Sequence, residues 1–233
     1  MNDRGEHIHH GYFLRPEDTK EAAQLQLIEL LLERSGLSKG TTVLDVGCGI
    51  GGTARYLARE YGCSVTGITI SGTQVQMARS FTAKENGRRV PADTEEYNTL
   101  GHGKVRFWEL DAEKMGDYFH KAHSDIRFDA VWISEAMSHL PDKKLFFRNA
   151  FSVLNDGGKL IIADWFKAEQ LSSAELKADI QPIEGGRFPE AIDWMLVLTL
   201  SQMACCFLHC ARNPIMSNLQ SELASISSLN HST

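Results

Sequence analysis

An acid stands directly ahead of a glycine cluster in VLDVGCGIGG, Val43 to Gly52, and the pair sets the first chemical question. Gly47, Gly49 and Gly52 satisfy G-x-G-x-x-G, a spacing that lets backbone approach a pyrophosphate at a helix N-terminus. Asp45, two residues upstream of Gly47, would repel that pyrophosphate. A dinucleotide site also needs an acid near the end of the second strand to hold ribose hydroxyls. There the chain reads Gly67-Ile68-Thr69-Ile70-Ser71, with no carboxylate. What Asp45 would attract is a cation. A ligand with an ammonium and a sulfonium but no phosphate, such as S-adenosylmethionine, suits both the glycines and the acid. A nicotinamide oxidoreductase is the alternative on the same fold, and the missing acid counts against it.

Glu135 and His139 follow an apolar run at the same end of the expected sheet, and His139 has the intrinsic pKa of a base near neutrality. A histidine there can equally hydrogen-bond the loop into the helix that Asp142 caps. No metal site is assigned. His7, His9 and His10 lack partners at suitable spacing, and Cys205, Cys206, His209 and Cys210 match no zinc pattern.

The elements that must position these groups alternate. Asp18 is expected to cap a first helix, with Glu21 closing a capping box and Gly36 ending the run. Thr42–Val46 reads as a strand, Gly52–Tyr61 as a helix, Ser64–Ile70 as a strand and Ser71 to Glu85 as a helix. Asn86 to Gly103 has turn-forming composition and no periodicity, so a surface insertion is expected. Val105–Leu110 and Phe128–Ser134 are strands, Asp142 to Leu154 a helix, and Asn155-Asp156-Gly157-Gly158 turns it into a strand from Lys159 to Trp165. Such alternation argues for βαβ units and a parallel sheet.

With 233 residues, 42% of them hydrophobic, the chain can bury one core. A net charge of -6 gives no footprint for nucleic acid. The polar start MNDRGEHIHH and five cysteines without a C-x-x-C pair point to a reducing, cytoplasmic setting. Trp194 to Ala211 carries no Asp, Glu, Lys or Arg. It reads as a buried helix or strand pair, with membrane association as the alternative.

VLDVGCGIGG resembles the first motif of class I S-adenosylmethionine-dependent methyltransferases. GITISGTQ (Gly67 to Gln74), SEAMSHLPDK (Ser134 to Lys143) and HHGYF (His9 to Phe13) resemble further blocks of one branch. That branch holds the tocopherol, sterol and plant alkaloid methyltransferases and the cyclopropane fatty-acid synthases. The resemblance implies a Rossmann-like, doubly wound, mostly parallel α/β sheet. It also implies methyl transfer to an O, N or C atom of a small, hydrophobic metabolite, as in secondary-metabolite tailoring. By the same resemblance Asp45, Gly47, Gly49 and Gly51 would line the methionine end of the cofactor. Thr69 and Gln74 would take the ribose, although Ser71-x-x-Gln74 is also a capping box. Asp111 would accept from the adenine amino group with Ala112 offering its N–H, or else Asp111 caps a helix. Tyr12 would reach in from an N-terminal lid helix, or else pack on the first helix. Glu135 and His139 are the catalytic candidates.

Two departures stand out. Ser138 occupies the position where the synthases carry Glu, which disfavours their carbocation chemistry. After Gly185-Gly186 the family's closing antiparallel strands find no match, so they are expected to be missing or altered. Residues 1–186 therefore form the cofactor-binding domain and 187–233 an atypical C-terminal segment. A non-catalytic cofactor-binding protein is the alternative from another class, and a bare sheet edge would favour self-association.

Overall fold

The computed structural model describes residues 7–87 and 96–164, Ser173, and the backbone of 195–199 and 206–207. Helix α1 (Lys20–Ser35) is capped by Thr19, whose hydroxyl accepts from the Ala22 N–H. The cap expected at Asp18 is corrected. That carboxylate accepts instead from Arg15 N–H and Gln26 Nε2, so it closes the turn before the helix. Gly36 ends α1 at φ 56°, the left-handed conformation that glycine adopts at least cost.

Strands β1 (Thr42–Val46), β2 (Ser64–Thr69), β3 (Asn98–Leu100), β4 (Gly103–Glu109), β5 (Phe128–Ser134) and β6 (Leu154–Ala163) join β7 (Met195–Thr199) and β8 (Cys206–Phe207) in one sheet of order β3-β4-β2-β1-β5-β6-β7-β8. The pairings from β4 through β6 are parallel, and β3, β7 and β8 pair antiparallel. The remaining helices are α2 (Gly52–Tyr61), α3 (Gly72–Glu85), α4 (Met115–Ala122) and α5 (Lys143–Val153). From β1 the chain steps to β2 and β4 on one side, then returns to β5 on the other. The strand order therefore reverses at β1, and the crevice at its carboxyl end is where ligands of such sheets bind.

Helices cover both faces. Val43 shares one core with Ile28 and Leu31 of α1 and Leu57 of α2. Leu44 and Val46 share the other with Met115 and Phe119 of α4 and Phe146 of α5. Burial on both faces explains why β1 and β5 are nearly continuous apolar runs.

Three expectations change. The Asn86–Gly103 insertion contains a short edge strand, β3, and 88–95 lie outside the described residues. Helix α4 has no counterpart among the expected elements. It is only 8 residues long and contains Gly116, whose missing side chain lets α4 approach α5: a Cβ there would lie 2.6 Å from Asn149 Oδ1. The turn at Asn155–Gly158 forms as a bulge inside β6, with a register shift opposite Phe128 to Ala130.

The largest correction is at the C-terminus. Where the closing strands were expected to be missing or altered, two are in the sheet: β7 runs antiparallel to β6, with Leu160 opposite Leu198, and β8 pairs with β7. Strand β6 is therefore not an edge of the sheet. Within Trp194–Ala211 the described backbone is thus a strand pair. The Gly185-Gly186 boundary and the rest of 187–233 lie outside the described residues. No helix among the described residues is long and apolar enough to cross a membrane.

Candidate functional site

The carboxyl ends of β1, β2, β4 and β5 open into a cavity of about 460 Å³. Asp45, at the end of β1, lines it and is 3% exposed. Its carboxylate takes a hydrogen bond from the Ala54 backbone in the first turn of α2, while Oδ2 is buried without a partner. Burial pushes the Asp45 carboxyl up to about 7. Once ionised it is a buried anion short of compensation, and such a group is relieved by a cation beside it.

The loop after β1 is shaped by glycines at positive φ. Gly47 has φ 71°, and a Cβ there would clash with the Ala136 methyl, so the loop passes closely under the turn after β5. Gly49 has φ 54° and leaves room for Ile8, whose Cδ1 would be 2.8 Å from an added Cβ. Both line the cavity. Gly51 does not. It precedes α2 at φ 77°, and an added Cβ would meet the Phe107 ring at 2.5 Å, so this glycine serves the packing of α2 on β4.

Arg55 in α2 braces the loop from behind. It is wholly buried, donates from Nη1 to the Ile50 carbonyl at 2.7 Å and pairs through Nε with Glu85 at 2.6 Å. Arg55→Ala removes both and is expected to destabilise the chain by about 3 kcal/mol. Urea unfolding would check it, and a loss below about 1 kcal/mol would contradict the bracing role.

Thr69 and Gln74 line the cavity side by side, the Thr69 hydroxyl donating to Gln74 Oε1 at 2.7 Å. Ser71 caps α3 through the Gln74 N–H, but the Gln74 side chain turns to Thr69 and leaves the capping box half made. Asp111 and Ala112 also line the cavity wall. Asp111 Oδ1 accepts from the Glu113 N–H at 2.9 Å in a turn, and the cap of α4 is Lys114, not Asp111.

Over the described residues 7–18 the lid ahead of α1 contains no helix or strand. His7, Ile8 and His9 line the cavity. The carbonyls of the two histidines are gripped from α1, where the buried Gln24 amide donates to His7 O and His9 O. Burial lowers the His7 pKa to about 3, with His9 adding to the effect, and burial lowers that of His9 too. Both are neutral imidazoles at physiological pH. Tyr12 is placed elsewhere: its N–H donates to Ala23 O at 2.8 Å, it is 42% exposed, and it does not line the cavity.

Glu135 and His139 both line the cavity from the turn after β5. Glu135 accepts from the His10 N–H at 3.0 and 3.1 Å and pairs with the His10 ring at 2.6 Å. His139 closes a single 3-10 turn, Met137–His139, and is exposed. That turn is fixed by the buried Asp164 just past β6, which accepts from the Met137 N–H at 2.8 Å. Sequence reasoning did not single out Asp164, Gln24, His7 or Ile8 as parts of the site. Gln24 alone left a signal, a polar residue in the apolar stripe of α1. Among the described residues lining the cavity are four carboxylates, Asp45, Asp111, Glu113 and Glu135, and no Lys or Arg.

Residues 3–193 match the family model for mycolic acid cyclopropane synthetase. The chain is 36% identical over 166 residues to the 2-methyl-6-phytyl-1,4-hydroquinone methyltransferase of Synechocystis sp., covering 69% of this chain and 45% of that one. It is 34% identical over 179 residues to the 27-O-demethylrifamycin SV methyltransferase of Amycolatopsis mediterranei, covering 77% and 58%. Among solved structures, the [4+2]-cyclase SpnF is similar with a TM-score of 0.57 and 30% identity, over 72% of this chain and 56% of that one. The chain spans about half the length of the curated relatives it matches. These matches give the nicotinamide alternative no support.

Proposed function

We propose that this chain, which belongs to the mycolic acid cyclopropane synthetase family, binds S-adenosylmethionine around Asp45 and transfers its methyl group to an O, N or C atom of a small, hydrophobic metabolite. The observation that carries the cofactor assignment is the buried Asp45 Oδ2, which has no partner at the wall of a cavity lined by no Lys or Arg among the described residues. An ammonium or sulfonium is the partner that this oxygen lacks. Asp45, Gly47 and Gly49 would hold the methionine end, Thr69 and Gln74 the ribose hydroxyls, and Asp111 with Ala112 the adenine edge. Gly51 and Tyr12 do not line the cavity and are left out of the proposed set.

When bound, the cofactor supplies an activated methyl group on a sulfonium. The chain has to align the acceptor and exclude water. Ile8, His7 and His9 form the wall that would shut the cavity from solvent. His139 would take the proton of a hydroxyl or ammonium acceptor, with Asp164 fixing the turn that carries it. Ser138, where the synthases carry a carboxylate, disfavours their carbocation chemistry. Relatives named for a hydroquinone and for rifamycin SV support a small organic acceptor and secondary-metabolite tailoring. A reducing, cytoplasmic setting is part of this reading, resting on five cysteines without a C-x-x-C pair. Cyclisation without methyl transfer is a second reading, favoured by the similarity to SpnF.

Incubating the chain with S-adenosylmethionine and a panel of phenols, amines and polycyclic lipids, then measuring S-adenosylhomocysteine, tests the proposal. Methylated acceptor with matching S-adenosylhomocysteine supports it. An altered acceptor without S-adenosylhomocysteine would favour cyclisation. In the same assay His139→Ala is expected to slow turnover by about 10²–10⁴-fold with cofactor affinity unchanged. If affinity and melting temperature fall together instead, His139 only holds the loop.

A further inference from the structure

Glu135 is the one residue other than glycine with a positive φ, 51°, among the described residues. Such a backbone is uncommon for a side chain of this kind and persists where its surroundings fix it. Here they do. The Glu135 N–H donates to Ala163 O at 2.6 Å, and the next residue, Ala136, packs against the bare Cα of Gly47. The conformation aims the carboxylate at the lid, where both oxygens accept from the His10 N–H and Oε2 also meets the His10 ring. The ties from Gln24 and from Ala23 hold the lid to α1. The tie from Glu135 crosses to the sheet, and the residues just before it, His7 to His9, are the cavity wall.

We infer that Glu135 is a positioning residue, a latch that fastens the lid through His10 and so sets how long a bound cofactor is retained. The latch itself rests on geometry alone, and its effect on retention rests on the proposed cofactor.

Two measurements on the full chain separate these parts. Hydrogen exchange of the peptide spanning 7–14, without ligand, reads the latch directly. Glu135→Gly removes the carboxylate while favouring the same φ, so the fold is kept. It is expected to speed exchange at the His10 amide by about tenfold, the effect of a charge-assisted hydrogen bond at a half-exposed site. His10→Ala keeps the backbone donor and should act in the same direction but less, and the double variant should be no faster than Glu135→Gly alone. Dissociation of S-adenosylhomocysteine should accelerate in the same order. Exchange and dissociation unchanged in Glu135→Gly would overturn the latch. Turnover lost in Glu135→Gly but untouched in His10→Ala, with equal dissociation rates, would make Glu135 a catalytic base and also overturn it. Wild-type chain that binds no S-adenosylhomocysteine would overturn the cofactor proposal and with it the retention role, whereas the exchange result judges the latch alone.

Discussion

Asp45→Asn is expected to stabilise the ligand-free chain above neutral pH and, in the same protein, to weaken cofactor binding. Burial holds the Asp45 carboxyl at about 7, against about 3.9 in an unfolded chain. Between those values the folded state keeps a proton that the unfolded state has released. Stability therefore falls as pH rises through this window, and above it the ionised group costs about 4 kcal/mol, at ~1.4 kcal/mol per unit. Asn keeps an oxygen for the Ala54 N–H and carries no charge. Urea unfolding at about pH 8 should show the variant more stable by about 1–3 kcal/mol, with the gain vanishing towards pH 4. Titration should show S-adenosylmethionine bound more weakly by about 1–3 kcal/mol, the range for a lost charged hydrogen bond. A variant that binds as tightly as wild type removes the role given to Asp45.

Gly49→Val has the largest expected effect on binding. The position has φ 54°, where a β-branched residue is a true outlier. Its Cβ would also reach 2.8 Å from Ile8 Cδ1. Valine therefore pushes the lid away and fills the space where the loop meets the ligand. Affinity should fall by more than about 100-fold, about 3 kcal/mol, while far-ultraviolet circular dichroism stays that of the folded sheet. The fold should survive because Gly49 belongs to the cavity rim and to neither hydrophobic core. An unfolded variant would show that this glycine is structural.

Elements with two buried faces were legible in the sequence. β1 and β5 run over the residues expected because their apolar runs stop where burial stops, and Gly36, Gly62, Ser71 and Asp142 mark helix ends by cap chemistry. The three-residue edge strand β3 has no such run, and the short α4 offers too few turns to display a period. β7 depends on pairing with β6 across a long stretch of intervening sequence, and β8 on pairing with β7, which local pattern does not encode. The site divides the same way. Asp45, Gly47, Gly49, Thr69, Gln74, Asp111, Ala112, Glu135 and His139 were legible as residues at strand ends, and all line the cavity. Gly51 fits the same motif but answers to Phe107, and of the motif that holds Tyr12 it is His9 that lines the cavity. The His10–Glu135 pair spans 125 positions, and no local spacing could have joined it.

The most direct test is isothermal titration of the full chain with S-adenosylmethionine at about pH 6 and pH 7.5, beside a titration with NAD. If an ionised Asp45 meets a cationic cofactor, S-adenosylmethionine binds roughly fivefold to tenfold tighter at the higher pH, as a group titrating near 7 requires. Proton release should accompany binding at the lower pH, and NAD should give no heat of binding. Saturable binding of NAD, or S-adenosylmethionine affinity that does not change with pH, would contradict the assignment of this cavity to a sulfonium cofactor.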